Sequence, residues 1–464
     1  MWSVIGRIVS AGSFFVSHFL LGRVLPKPEY AAYLTASAAV LFLIVFVSMG
    51  TAPILGRAVR QAIYGERAGQ TQRIILSCWQ LIFGSAIVVS LVFWGFTALL
   101  PAGTTWQVMA DYPLLLSAWF SLTAGCLVTS WALQGLDDYR SAVIVGARNG
   151  GALPNFTFLL LVCLCYYRGV GDLLTLFVAQ ALLQAVSLLI GVWLVGRRLR
   201  RMEIAGLTGT STETNSADGE GLTPGWFLRE SWPNLAIRLI NAALTRLDIL
   251  WVGIFASELA VADYGACKIL VTLVAAPFVM LLPTLGPFTA ELLSKGQLQR
   301  LERILRGFAT LVCLPVVGVL AVYMLLPGWT LSVTYGQDYV GASPLLQILC
   351  VGQLAFVLSG NNGQTLVMGG HQRSLMSRTL IMFLAYVIVA LPLMWAFGVV
   401  GAAVALSLVT LVQSIIITLL AKKLVGVWTM ATLSPKTIRS MLLSIFNRDR
   451  QGSSEGESSQ NDAD

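Results

Sequence analysis

Charge is what this chain has least of. Its 464 residues carry 30 basic, 22 acidic and two histidine side chains, so 11% are charged, against about 25% in an ordinary soluble domain. A fold that needs a charged shell around a core cannot be built from this composition. Other absences narrow the function. There is no glycine-rich loop followed by Lys and Ser or Thr, so a phosphate cradle for nucleotide hydrolysis is excluded. The seven cysteines, Cys78, Cys126, Cys163, Cys165, Cys267, Cys313 and Cys350, are scattered through apolar runs, and the Cys163/Cys165 pair points to opposite faces of a helix. Neither a disulfide framework nor a metal site is expected from them. Large polar loops are missing on one side of the chain, which argues against a membrane enzyme that holds its catalytic groups outside the bilayer; no catalytic residue is expected.

Apolar residues fill the space that charge leaves: 56% of the chain is hydrophobic and the mean hydropathy is +0.78. Runs long enough for about 20 helical residues, the length that crosses a bilayer, fall at roughly 3–22, 31–56, 74–100, 113–134, 142–166, 172–195, 230–256, 262–289, 307–327, 343–367, 379–397 and 399–420. The chain is therefore expected to be an all-α polytopic membrane protein of about twelve spans. Arg7 lies inside the first run and no small-residue cleavage site follows it, so that run is expected to be a retained helix.

Basic residues set the orientation. The even-numbered loops and the tail hold most of the 30, whereas the odd-numbered loops hold only Arg23, Lys27 and Arg168. Lysine and arginine near span ends stay on the cytoplasmic side, which places both termini in the cytoplasm and explains the net charge of +8 without nucleic acid. Membrane lipids are the expected partners of that basic face.

The two halves repeat. Arg7-Ile8-Val9-Ser10-Ala11 answers to Arg238-Leu239-Ile240-Asn241-Ala242, Tyr30 to Tyr264, Pro53 to Pro287, and Tyr139-Arg140-Ser141 to Gln372-Arg373-Ser374, at offsets of 231 to 234. Two related bundles meeting at a central site are the common plan of secondary transporters. The expected organisation is a six-helix lobe over 1–196, a cytoplasmic linker over 197–229, a second six-helix lobe over 230–424, and a tail over 425–464. A surface helix is expected in the tail from Ser434-Pro435 through Asn447, followed by an acidic disordered end.

Polar groups inside the spans are the candidates for function, because a charge at mid-membrane costs on the order of 3 kcal/mol even on a lenient scale. On span seven, Asn234, Arg238, Asn241, Thr245 and Asp248 are spaced to lie within an arc of about 80°. Span one repeats this weakly with Arg7, Ser10, Ser13 and Ser17, and Lys268 on span eight adds a third wall, with Tyr264 and Thr272 beside it. Arg7, Arg238, Asn241, Thr245 and Lys268 are candidate substrate ligands. Asp248 is a candidate coupling-ion or proton site, with structural pairing to Arg246 or Lys268 as the alternative. Arg7 and Arg238 are near enough to a span end to snorkel, and Arg246 lies about 120° off the polar face with its role open. Asn361, Asn362 and Gln364, in an amide-rich stretch of span ten, either bind hydroxyl-rich ligands or join helices. His18 is expected to be packed and not to carry protons.

Three stretches resemble a known family. Gly336-Gln337-Asp338-Tyr339-Val340, followed by Ala342 and Pro344-Leu345-Leu346-Gln347-Ile348-Leu349, is similar to the segment before span ten of Wzx-type polysaccharide repeat-unit flippases. These belong to the multidrug/oligosaccharidyl-lipid/polysaccharide (MOP) exporter superfamily. Pro26-Lys27-Pro28-Glu29-Tyr30-Ala31-Ala32-Tyr33 resembles the family's loop after span one, without its glycine, and Ala262-Asp263-Tyr264-Gly265 resembles the matching loop of the second half. The resemblance implies a MATE/MOP-like inner-membrane fold that moves an undecaprenyl-diphosphate-linked oligosaccharide between leaflets by alternating access. It further implies Arg7, Arg238 and Lys268 on the diphosphate or acidic sugars, and polysaccharide polymerase and export proteins as candidate partners; no cofactor is expected, and without a nucleotide loop the energy is expected from a sodium or proton gradient or from downstream consumption of the substrate. An ion-coupled multidrug exporter of the same superfamily is the alternative. It would favour acids and aromatics over bases, and here the bases inside the spans outnumber the acids.

Overall fold

Residues 2–64, 70–100, 105–146, 151–169, 171–204, 224–281 and 285–431 are described by the computed structural model, and every regular element among them is helical. The first compact unit contains residues 1–269 with 331–342 and 389–402. It is built from α1 (Trp2–Val24), α2 (Lys27–Ser48), α3 (Ala52–Tyr64), α4 (Thr71–Thr97), α5 (Gln107–Asp111), α6 (Pro113–Gly135), α7 (Tyr139–Val145), α8 (Ala152–Arg168), α9 (Leu173–Ile204), α10 (Pro224–Phe255) and the start of α11 (Glu258–Leu281). The second unit holds residues 270–330, 343–388 and 403 onward. Its elements include α12 (Gly286–Ser294), α13 (Leu298–Leu325), α15 (Ser343–Leu358), α16 (Asn362–Met368) and most of α17 (Gln372–Val425), while α14 (Pro327–Thr334) runs from one unit into the other.

Nine helices among the described residues are long and apolar enough to cross a membrane. The 54-residue α17 contains two of the expected spans, since Gly398 breaks it with φ 57° and ψ −133°. Span five is the shorter α8, and span seven is α10, whose many polar residues lower its hydropathy. The expected spans thus all have helices. Four expected runs are divided between two helices, among them 262–289, which is shared by α11 and α12. The run 31–56 divides at Met49–Thr51 into α2 and α3, and α3 carries Arg57 and Arg60. The run 142–166 begins in α7 and resumes in α8. Span ten stops at Leu358 and restarts at Asn362.

These breaks persist because the freed carbonyls find donors, as they must in an apolar medium. At the end of α7, Ser130 Oγ donates to the Ala142 carbonyl at 2.8 Å and Ser187 Oγ to the Val145 carbonyl at 2.8 Å. At the end of α15, Thr429 Oγ1 donates to the Ser359 carbonyl at 2.9 Å and the Ala431 amide to the Leu358 carbonyl at 3.0 Å. The donors Thr429 and Ala431 belong to a short strap after α17.

In the first unit α6 is central and touches α2, α3, α4, α7 and α9. Lipid tails are as apolar as leucine, so close packing and not water exclusion holds such helices together. Small residues provide it: a Cβ on Gly135 would lie 2.8 Å from Val59 and 3.0 Å from the Gly56 carbonyl, which fixes α3 against α6. Tyr33, Trp119 and Phe177 stack between α2, α6 and α9. In the second unit, Leu285, Leu292, Leu301 and Leu305 bury Val427 of the strap. The expected linker overlaps the ends of α9 and α10; its centre, 205–223, and the expected tail helix and acidic end lie outside the described residues.

Candidate functional site

A buried ion pair sits in the first unit where α10 meets the first turns of α11. Asp248 is fully buried. Lys268 Nζ donates to both of its carboxylate oxygens at 2.6 Å and to the Thr245 carbonyl at 2.7 Å, and Tyr264 Oη donates to Asp248 Oδ2 at 2.7 Å. The local sequence explains the convergence. Tyr264 and Lys268 are four residues apart and so share one face of α11, while Thr245 and Asp248 are three apart on α10. Of the alternatives the sequence left open, Asp248 pairs with Lys268.

Arg246 changes the balance of this cluster. It is half-buried, and it lies within electrostatic reach of Asp248, Lys268 and His18. Two cations therefore share one carboxylate, and that carboxylate's oxygens are taken by Lys268 and Tyr264. His18 of α1 is buried, packs edge-on to Phe14 at 4.5 Å, and has an Nδ1 with no partner among the described residues. The cluster thus carries excess positive charge inside a membrane span, the kind of site that a diffusible anion stabilises.

The rest of the expected polar face of α10 is more open. Asn241 and Thr245 are exposed, and their side chains bond within their own helix, through Asn241 Nδ2 to the Ile237 carbonyl and Thr245 Oγ1 to the Asn241 carbonyl, both at 2.9 Å. Arg238 is half-buried and Arg7 on α1 is exposed. On α1, Ser17 is buried with no partner for its hydroxyl among the described residues, and Ser10 Oγ accepts from Asn155 Nδ2 of α8 at 2.9 Å. Asn155 was not singled out from sequence; a lone amide in an apolar run was its only signal.

The amides of span ten stand in the second unit. Asn361 is 2% exposed, and neither of its amide atoms has a partner among the described residues. Asn362 Nδ2 donates to Thr418 Oγ1 of α17 at 3.0 Å, which joins two helices, and Gln364 is half-buried beside Gly286.

An all-helical bundle with a charged, partly open helix face inside its spans has the architecture of MOP-type exporters. Solved structures agree on this fold. The chain is similar to the lipid II flippase MurJ in an inward closed conformation, with 12% identity, a TM-score of 0.68, and coverage of 95% of this chain and 90% of that one. It is also similar to a multidrug resistance MATE family transporter of the MOP superfamily in an inward-facing conformation (14% identity, TM-score 0.64, coverage 90% and 94%) and to a MOP superfamily transporter from Pyrococcus furiosus (16% identity, TM-score 0.57, coverage 92% and 94%). No curated protein matches the chain in sequence. The family model for polysaccharide biosynthesis proteins matches residues 1–291, and the chain belongs to that family.

Proposed function

We propose that this protein translocates an undecaprenyl-diphosphate-linked oligosaccharide repeat unit from the cytoplasmic to the periplasmic leaflet of the bacterial inner membrane, with both termini cytoplasmic. The product would feed synthesis of exopolysaccharide, capsule or O-antigen. The observation that carries the reading is the excess of cations around Asp248, taken together with membership of the polysaccharide biosynthesis family. A diphosphate offers the anion that such a cluster lacks, and arginine suits it because its planar fork donates to two oxygens at once. In this reading Arg7, Arg238, Arg246 and Lys268 meet the diphosphate or acidic sugars. Asn241, Thr245, Asn361, Asn362 and Gln364 meet hydroxyls, and the polyprenyl tail remains in lipid.

Export of small molecules coupled to sodium or protons is the second reading. The MATE neighbours and the buried carboxylate of Asp248 favour it.

Deleting the gene in its native host separates the two. Flipping predicts loss of surface polymer with lipid-linked repeat units trapped on the cytoplasmic side, and failed complementation by stably inserted Arg238→Ala, Arg246→Ala or Lys268→Ala. Unchanged polysaccharide would reject the flippase reading and favour export.

A further inference from the structure

The segments that the first unit takes from the second half of the chain have something in common. They are span seven and the first part of span eight with their connection at 256–257, the 331–342 connection between spans nine and ten, and 389–402, where the ends of spans eleven and twelve meet at Gly398; the three connections are odd-numbered loops. The basic-residue asymmetry assigns these connections to the face opposite the basic loops. That face of both halves is therefore gathered into one compact unit, and polar contacts hold it together. Lys27, at the start of α2, pairs with Asp263 of α11 at 2.8 Å and lies 4.6 Å from the centre of the Tyr339 ring. Arg23, at the end of α1, donates to the carbonyls of Val333 and Thr334, the last residues of α14, where a cation also meets the negative end of a helix. Tyr30, Tyr335 and Tyr339 pack behind these contacts, and all three are buried.

Arg23 and Lys27 are two of the three basic residues on this face. Each ties the α1–α2 turn of the first half to a segment of the second. Asp263 also precedes Tyr264, which holds Asp248, and lies five residues before Lys268, which pairs with it. One stretch of α11, less than two turns long, thus carries both a contact of the outer face and two ligands of the buried carboxylate. A displacement of α11 that changes the Asp248 pair also moves Asp263, since the two positions lie less than two turns apart on one helix.

We propose that Lys27–Asp263 and Arg23 on the Val333 and Thr334 carbonyls form a latch that closes this face, and that α11 couples the latch to the Asp248–Lys268 pair. An anion that draws Lys268 away from Asp248 shifts α11 and releases Asp263 from Lys27. The inference deepens the transport reading and rests on it for its purpose, but its test uses no substrate. A negative flipping assay and a negative latch assay are therefore separate results.

The test is the rate at which a membrane-impermeant maleimide, added from outside to intact spheroplasts, labels a reporter Ser17→Cys. Ser17 is 2% exposed and lies on α1 six residues before Arg23. The same chain without the reporter gives the background from Cys163 and the other cysteines. Lys27→Asp and Asp263→Lys alone are each expected to raise the rate by roughly fivefold or more, the lower end of ordinary coupling between sites. The exchanged pair Lys27→Asp/Asp263→Lys is expected to bring it back toward the parent. Asp248→Asn, far from the surface contact, is expected to raise it too. Lys27→Gln and Asp263→Asn, closer in shape, replace any charge-reversal variant that fails to elute as a single species. Single variants labelled at the parental rate, or an exchanged pair as fast as the singles, would overturn the latch. Parental labelling of Asp248→Asn would overturn the coupling.

Discussion

Removing one member of the Asp248–Lys268 pair should cost more than removing both. Breaking a buried ion pair by deleting one partner typically costs about 3–5 kcal/mol, because a charge is left without compensation, while replacing both by apolar groups is often neutral. The two single variants should not be equal. Lys268→Met leaves a carboxylate with no exposure and, among the described residues, one remaining donor, Tyr264, and belongs at the upper end. Asp248→Asn leaves an ammonium that is 16% exposed and keeps the Thr245 carbonyl, and belongs at the lower end. At about 2 °C per kcal/mol for a chain of this size, melting of the detergent-purified protein should fall by roughly 10 °C for Lys268→Met and roughly 6 °C for Asp248→Asn. The double variant Asp248→Leu/Lys268→Met should lose less than either single variant, its remaining cost being Arg246 left without Asp248. The measurement is a thermal unfolding curve read by intrinsic tryptophan fluorescence for all four proteins, arranged as a double-mutant cycle. Additive losses in the double variant, or single variants that melt with the parent, would refute the claim that the two charges are each other's compensation.

Arg246→Met should behave in the opposite way. It removes the second of the two cations that share Asp248 and leaves the Lys268 pair intact, so melting should hold or rise by about 1 °C while flipping falls at least tenfold, which thermal unfolding and transport assays on one preparation would read together. Gly360→Ala should destabilise the second unit, since Gly360 has φ +71° and a Cβ there would strike the Thr429 carbonyl; a backbone forced into that region costs on the order of 1–3 kcal/mol, seen as faster limited proteolysis after Val425. Asn155→Leu should lose the bond to Ser10 at a cost of about 0.6–1 kcal/mol, a shift of roughly 1–2 °C with expression unchanged.

The helices were legible from sequence because bilayer thickness imposes a length on apolar runs, and the polar face of α10 was legible because its spacing keeps Arg238, Asn241, Thr245 and Asp248 together. The breaks were not. Each depends on a donor distant in sequence, Ser187 for Val145 and Thr429 for Ser359, and no local pattern announces where a hydroxyl will arrive. Span ten shows the consequence: Asn361 and Asn362 read as amides on a continuous helix, yet they open a new one, and Asn362 bonds across to Thr418. Within the charge cluster the candidates were visible singly, but the choice of Lys268 over Arg246 as partner of Asp248 is made by the packing of α10 against α11. Lys27 and Asp263 each lay in stretches noted for family resemblance, and nothing in either stretch shows that they meet.

The most direct test of the transport account is reconstitution. Purified protein in liposomes containing a fluorescent polyprenyl-diphosphate oligosaccharide should make the inner-leaflet pool accessible to an external lectin within minutes, and Arg246→Met and Lys268→Met should slow this at least tenfold. The monophosphate analogue should move more slowly than the diphosphate. Equal slow leakage of all lipids with and without protein, combined with gradient-driven efflux of a cationic dye by the same preparation, would contradict the account.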